Sequence, residues 1–368
     1  MKRPGRSWPG TPGTEFKLRR LTCRWRRDNL PDSREADEFL NTMDHVSSEN
    51  ARAAGDAQEV LVCVDQYAFP GGWIKPAEAD ARAQLSCEQL EDGKVLCFER
   101  VPYLLFQDDR EFLLSQRQSE SRLHKNVSYR PSRDVLRGAA GEPKERARLH
   151  EIMRKYSQEV TRFLKQLLAP YALDMALDFA SFRPEEEEGR DLPTHKRNDL
   201  LHCDAFPTRP TNGHRILRCF TNINPTAPRI WNTTDAFSVL AEKYANEAGL
   251  AAFAAKGSAP SHPLVRSFKK AFGLKAVDHS AYDRFMLRFH DYLKDNRDFQ
   301  QNCPKTRLEF PPGCTWICYT DSVPHSVMSG RYALEQTVII PLTSLLTPDK
   351  APIRVLERLA GKPLSRSS

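Results

Sequence analysis

The spacing of apolar residues changes period along the chain, and those changes divide it. Residues 142–168 carry Leu149, Ile152, Met153, Tyr156, Val160, Phe163 and Leu167 on one 3.6-residue stripe, which predicts a long helix packed on a sheet. Upstream, residues 34–43 read as a shorter helix, and residues 59–64 and 94–100 as strands. From residue 172 the helical period gives way to short apolar segments separated by turn residues, at 173–182, 200–206, 215–223, 315–320 and 334–342. Short strands with irregular connections predict a jelly-roll or barrel, so the expected class is α+β. Helical spacing returns over 237–253, 263–272 and 282–299, and residues 235–303 are therefore read as a helical insertion in the β-core. The last twenty residues, 349–368, with Pro352 and a Ser/Arg end, read as a peripheral tail.

Composition narrows the classes. A chain of 368 residues, 40% hydrophobic and 28% charged, is long enough for a substantial core in one or two domains. No apolar run approaches the roughly 18 residues that span a bilayer, and residues 1–10 mix charge, Trp and Pro where a secretion signal would be hydrophobic. A cytoplasmic location is expected. Nine cysteines without a C-x-x-C pair read as reduced thiols, not as a disulfide framework or a zinc knuckle. The net charge of +7 is concentrated in residues 1–27, where nine basic residues face one acid, Glu15. Residues 1–34 are read as a basic, disordered tail suited to peripheral attraction to anionic lipid, and residues 35–348 as a single catalytic domain.

The chemistry concentrates in His202-Cys203-Asp204 and in His325 of Asp321-Ser-Val-Pro-His. In an extended segment residues i and i+2 point to the same side, so His202 and Asp204 can ligate one ion while Cys203 turns away. Two imidazoles and one carboxylate leave open the positions that an oxygen-activating ferrous ion needs. The segment from Arg215 reads as a buried strand in which Ile216, Arg218, Phe220 and Asn222 share a face. An inward guanidinium there predicts either a bound carboxylate or a buried ion pair. The run from Phe310 to His325, followed by Gly330, reads as a strand, turn, strand unit able to return His325 to the H-x-D pair. No Gly-rich phosphate loop, no G-x-S-x-G elbow and no internal repeat is present.

On these residues the sequence resembles the iron(II)/2-oxoglutarate-dependent oxygenases, which carry an H-x-D…H triad on a double-stranded β-helix. The strings Lys125-Asn-Val-Ser-Tyr, Ser181-Phe-Arg-Pro, Leu201-His-Cys-Asp-Ala-Phe-Pro-Thr-Arg-Pro, Arg215-Ile-Leu-Arg-Cys-Phe-Thr-Asn-Ile-Asn-Pro and Val323-Pro-His-Ser-Val-Met-Ser-Gly-Arg-Tyr-Ala-Leu-Glu-Gln-Thr are similar to those of the Kdo hydroxylases. The resemblance covers residues 125–342. It implies a double-stranded β-helix (jelly-roll or cupin-like) core with flanking helices, Fe(II) on His202, Asp204 and His325, 2-oxoglutarate as cosubstrate and O2 as oxidant. The reaction it implies is hydroxylation of C3 of Kdo, 3-deoxy-D-manno-oct-2-ulosonic acid, in Kdo-lipid A of the lipopolysaccharide inner core, giving Ko with release of succinate and CO2. Arg218 fits a strand-borne anchor for 2-oxoglutarate better than Arg331, six residues after His325, and Asn222 shares its face. For the acidic substrate the candidate contacts are Arg183 first, then Lys125, Arg229 and Arg331. A location at the inner membrane follows from that substrate, and no nucleic-acid partner is expected. The competing readings are a 2-oxoglutarate oxygenase acting on a protein or nucleic acid, and a non-catalytic cupin-like metal-binding protein.

Overall fold

The computed structural model describes residues 19–21, 60–64, 76–117, 126–190, 192–256 and 278–365. Its strands are β1 (Arg19–Leu21), β2 (Leu61–Cys63), β3 (Val95–Phe98), β4 (Val127–Arg130), β5 (Val135–Arg137), β6 (Ala176–Arg183), β7 (Arg215–Asn222), β8 (Arg229–Thr233), β9 (Thr306–Phe310), β10 (Thr315–Tyr319), β11 (His325–Ser329) and β12 (Ala333–Ile340). The helices are α1 (Pro76–Glu91), α2 (Gln107–Ser115), α3 (Pro143–Leu167), α4 (Phe237–Tyr244), α5 (Leu250–Lys256), α6 (Ala281–Asp295), α7 (Arg297–Asn302) and α8 (Pro352–Ala360). Eight strands form one sheet in the order β2-β3-β10-β7-β12-β6-β4-β5, and four form another in the order β1-β9-β8-β11. All pairings are antiparallel except β2 with β3 and β1 with β9.

Strand parity sorts the side chains of the large sheet into two cores. Leu217 and Cys219 of β7, Ile317 and Tyr319 of β10, and Leu334 and Val338 of β12 face the helical side, where α3 buries Leu149, Ile152, Met153, Tyr156, Val160, Phe163 and Leu167. Helix α3 begins with a capping box between Glu142 and Glu145 and a Pro in its first turn, which satisfies amides its own backbone cannot. Phe220 of β7 and Trp316 and Cys318 of β10 face the other way and pack against Trp231, Leu308, Phe310 and Val327 of the small sheet. The Phe310 and Trp316 rings stack with centroids 3.9 Å apart, and Trp231 meets Trp316 edge-on at 5.5 Å. The two sheets thus close face to face at one end of β7 and β10.

The long helix appears as its period predicts, as do strands inside the expected 59–64, 94–100, 215–223 and 315–320 segments. Three expectations change. Residues 200–206 form no strand and meet β11 through one isolated bridge, His202 with His325, because Pro207 ends the extended run. The segment 237–253 breaks into α4 and α5 at Gly249, whose φ of +93° is incompatible with a continuous helix. Residues 349–368 contain α8, with Ile353, Val355 and Leu356 buried in the main core, so this end packs against the body. Strand β1 falls within residues 1–34, and the rest of that segment and the helices expected at 34–43 and 263–272 lie outside the described residues. Cys63 is disulfide-bonded, which corrects the reading of every cysteine as a free thiol, while the other seven described cysteines are free. No helix among the described residues is long and apolar enough to cross a membrane.

Gly330 turns β11 into β12 with φ +122°, and a Cβ there would stand 3.0 Å from the Arg229 Cα. Backbone cannot move aside cheaply, so Gly330→Ala should destabilise the fold by about 2–4 kcal/mol in denaturant unfolding. A loss below about 0.5 kcal/mol would show that the turn tolerates a side chain.

Candidate functional site

Backbone hydrogen bonds bring the H-x-D segment to the far end of the chain. His202 N donates to His325 O at 3.1 Å, and His325 N donates back to His202 O at 2.9 Å. Asp204 N donates to Thr320 O at 2.8 Å, and Thr320 N to Ile216 O at 3.0 Å, so residues 202–204 are anchored to the loop between β10 and β11. A buried ion pair fixes that loop: Arg215 Nε meets Asp321 Oδ2 at 2.9 Å, with the guanidinium 3.9 Å from the Tyr319 ring centre. Thr233 Oγ1 donates to Pro324 O at 2.7 Å, tying the residue before His325 to β8.

The donors of His202, Asp204 and His325 all lie within 4.8 Å of one another. His202 Nε2 is 3.8 Å from Asp204 Oδ1 and His325 Nε2 is 4.0 Å from Asp204 Oδ2, too long for hydrogen bonds and short enough for two bonds to one shared cation. Each imidazole is oriented from behind, with Nδ1 2.7 Å from Leu200 O and 2.9 Å from Val323 O respectively. Nδ1–H as donor leaves each Nε2 lone pair directed at the cluster, the tautomer that a metal ligand needs. Burial depresses the pKa of both histidines below the ordinary imidazole range, so both are neutral at pH 7. Burial by itself would raise the Asp204 pKa, but Arg218, the two histidines and a hydrogen bond from Thr320 together outweigh it and hold the carboxyl far below the usual range. Asp204 Oδ2 is buried and meets Arg218 as an ion pair, with no hydrogen bond of good geometry. Two bare imidazole nitrogens and an ionised carboxylate therefore fit a divalent transition metal.

The structure brings Arg218 directly to this cluster. Its Nη1 is 3.2 Å from Asp204 Oδ2 and its Nε 3.3 Å from Glu335 Oε1, so the face predicted by strand parity holds and the ion-pair alternative holds with it. Glu335 also receives Arg183, whose Nε donates to Oε2 at 3.1 Å. Asn222, on the same face of β7, is fully used elsewhere: its amide donates to Ala227 O and Phe310 O, each at 3.0 Å, and its oxygen accepts from Asn224 N. Arg229 is buried, donates to Gly330 O at 2.8 Å and pairs with Glu187. Burial lowers its pKa to about 10, against the opposing pull of Glu187. Arg331 Nε donates to Pro184 O at 3.1 Å beside the Tyr332 ring. Lys125 lies outside the described residues.

Sequence reasoning missed several neighbours. Trp231 stacks on His325 with ring centres 5.0 Å apart, and His290 meets His202 edge-on at 5.0 Å. One helical turn after His290, Lys294 is buried, and desolvation lowers its pKa to about 8. The i, i+4 spacing of His290 and Lys294 on a helical stripe was the available signal, but it does not say which surface the helix covers. Glu335, ten residues after His325 on β12, was also missed.

Glu335 provides a pH test. Burial would raise its pKa, but Arg218 and Arg183 bring it from the ordinary 4.5 down to about 2. Its stabilisation is then complete above about pH 4.5 and disappears as pH falls toward 2. Glu335→Gln should cost on the order of 3 kcal/mol at pH 7, and the gap from wild type should close on acidification in unfolding titrations. A constant gap from pH 7 to pH 3 would show that the carboxylate's charge is not what stabilises.

Comparison with known proteins agrees with this geometry. The family model described as 3-deoxy-D-manno-oct-2-ulosonic acid (Kdo) hydroxylase matches residues 74–363. Crystal structures of the Kdo hydroxylase KdoO, a non-heme Fe(II) alpha-ketoglutarate-dependent dioxygenase, are similar in fold. The complex with alpha-ketoglutarate and Fe(III) is 30% identical with a TM-score of 0.69, covering 84% of this chain and 99% of that one. The cobalt(II) complex is 31% identical with a TM-score of 0.71, covering 84% and 98%. The complex with succinate and Fe(III) is 30% identical with a TM-score of 0.69, again covering 84% and 98%. No curated protein matches the chain. With most of its length matched by the family and nearly the whole of each solved relative covered, this chain belongs to the Kdo hydroxylases.

Proposed function

We propose that this chain is an Fe(II)- and 2-oxoglutarate-dependent dioxygenase that hydroxylates Kdo, with the metal on His202, Asp204 and His325. The observation that carries the reading is the convergence of two Nε2 atoms and a carboxylate oxygen within 4.8 Å, with both Nδ1 atoms held by backbone carbonyls. Family membership and relatives solved with iron, alpha-ketoglutarate and succinate support the cosubstrate and the reaction class. When bound, the metal with 2-oxoglutarate and O2 supplies the oxidation, yielding hydroxylated sugar, succinate and CO2.

The protein's own residues position and shield. Leu200 O and Val323 O fix the imidazole planes, and Trp231 and His290 cover the outer faces of His325 and His202 against water. Arg218, 3.2 Å from Asp204, is the cation best placed for a 2-oxoglutarate carboxylate, with Arg331 as the alternative. Asn222 would act only by shaping the end of β7, since its side chain is fully bonded. Arg183 and Arg229 reach acidic residues of the protein, so any substrate contact from them would share Glu335 or Glu187. Two mainly antiparallel sheets that meet face to face beside the triad support a double-stranded β-helix core, with the helices of residues 235–303 inserted between β8 and β9. The full reading is C3 hydroxylation of Kdo-lipid A to Ko at the cytoplasmic face of the inner membrane, where the basic residues 1–27 would favour anionic lipid.

Anaerobic addition of Fe(II) and 2-oxoglutarate should give a weak visible charge-transfer band, and Kdo-lipid A should stimulate succinate release. His325→Ala should abolish that release while leaving the circular dichroism spectrum intact, and full activity in this variant would remove His325 from the ligand set. Arg218→Ala should raise the 2-oxoglutarate requirement at least about tenfold, more than the sugar requirement, because a charge-assisted contact is lost. The same phenotype from Arg331→Ala, and not from Arg218→Ala, would move the anchor to the β11–β12 turn. Removal of residues 1–18 should reduce co-sedimentation with anionic vesicles at low salt, an effect that fades as the Debye length shrinks to about 3 Å at 1 M salt.

A further inference from the structure

The triad does not use all of the sheet face on which it sits. Over β10 and β7 that face is covered by the small sheet and buries Trp316 and Phe220. Farther along, on β6 and β4, Phe179 and Arg130 lie on the same side and are only half-buried. Arg209, from the loop that follows Asp204, reaches across to them. Its guanidinium carbon lies 3.9 Å from the Phe179 ring centre and 4.2 Å from that of Phe206, and Arg130 lies 4.7 Å from Phe179. Phe206 is two residues beyond Asp204 and 5.5 Å from Arg218. A ladder of cations and rings therefore runs outward from the triad through Arg218, Phe206, Arg209, Phe179 and Arg130.

Charge on the outer rungs does not balance. Arg209 pairs with Asp178 at 2.9 Å, whereas Arg130 makes no ion pair among the described residues. The Nε atoms of Arg130 and Arg209 are both buried and without a hydrogen-bond partner. Burial and the like charges of Arg218 and Arg130 lower the Arg209 pKa, with Asp178 opposing. Guanidinium groups packed against rings lose little further freedom when they meet an oxyanion. Arg183 and Arg229 meet the more deeply buried carboxylates of Glu335 and Glu187, whereas Arg209 shares the partly exposed Asp178 and Arg130 has no ion pair among the described residues.

The geometry points to Arg209 and Arg130 as the seat of the substrate's acidic group, a carboxylate or a phosphate, held beside the metal cluster and separate from it. This rests on the Kdo hydroxylase reading, since an octulosonic acid brings a carboxylate and a lipid carrier brings phosphates. The seat also gives a reason for the half-buried aromatic wall: it orients an anionic sugar without placing a second anion on the metal.

Arg209→Gln and Arg130→Gln, made in the full chain, separate the alternatives. Each should raise KM for Kdo-lipid A about tenfold or more, leave KM for 2-oxoglutarate within about twofold, and retain the anaerobic Fe(II)–2-oxoglutarate band. Substrate with its sugar carboxylate esterified, and substrate stripped of phosphate, identify the source: the missing group is the one whose loss weakens wild type but not Arg209→Gln. An unchanged sugar KM in both variants, or a raised KM for 2-oxoglutarate in its place, would overturn the seat. Calorimetric titration with inorganic phosphate provides a test that needs no turnover: weaker binding to the double variant than to wild type supports the seat, and equal binding refutes it. Phosphate binding that depends on these arginines, alongside no Kdo-stimulated succinate release, would count against the sugar assignment and not against the seat.

Discussion

Everything at the site depends on one reciprocal pair of backbone hydrogen bonds, between His202 and His325. The two histidines come from distant parts of the chain, and neither side chain can place the other. Their amides and carbonyls can, because a two-bond bridge fixes separation and orientation together. Once it forms, Asp204 lands on the same side as His202 and bonds through its own amide to Thr320 O. The Arg215–Asp321 pair and the Thr233–Pro324 bond then hold the loop that presents His325. The cluster of His202, Asp204 and His325 is thus a consequence of sheet closure, and its side chains need only the correct parity.

That arrangement creates an electrostatic problem, which the neighbouring strands resolve. Asp204 and Glu335 are both buried, and two ionised carboxylates in a low-dielectric setting would repel and protonate without cations between them. Arg218 stands between the two, and Arg183 closes Glu335 from the other side. Asp204 thereby stays ionised. An ion-pair role and a cosubstrate role for Arg218 are not exclusive, since a planar guanidinium has five N–H donors.

What the sequence could reveal followed from periodicity. The stripe of α3, the parity of β7 that turns Arg218 and Phe220 away from Leu217 and Cys219, and the i, i+2 relation of His202 and Asp204 each depend on local geometry alone. What it could not reveal was pairing across distance. Asn222 has the correct parity and still belongs to the β7–β8 turn, because its amide finds Ala227 O and Phe310 O first. Arg183 and Arg229 look like free cations in sequence, yet folding delivers Glu335 and Glu187 to them. Strands β8 and β9 escaped the apolar pattern because they are short and carry polar residues between their apolar ones. Helix α8 was concealed by its place at the chain end, although its apolar residues are buried as fully as those of the core.

The helices between β8 and β9 are part of the site and not an ornament on it. Helix α6 opens with a capping box in which Asp283 and Ser280 exchange bonds, and the same Asp283 carboxylate accepts from the amides of Thr211 and Asn212. The loop that carries Arg209 is therefore pinned to the start of α6. Farther along, the same helix sets His290 against His202 and buries Lys294, whose amine donates to His195 O at 3.3 Å, its one hydrogen bond among the described residues. A cation so poorly solvated persists where negative charge lies nearby, and Asp204 leads the groups that favour its charged form. One helix thus positions the arginine loop at one end and shields the His202–Asp204–His325 cluster at the other, so strain in it would be felt at both ends together.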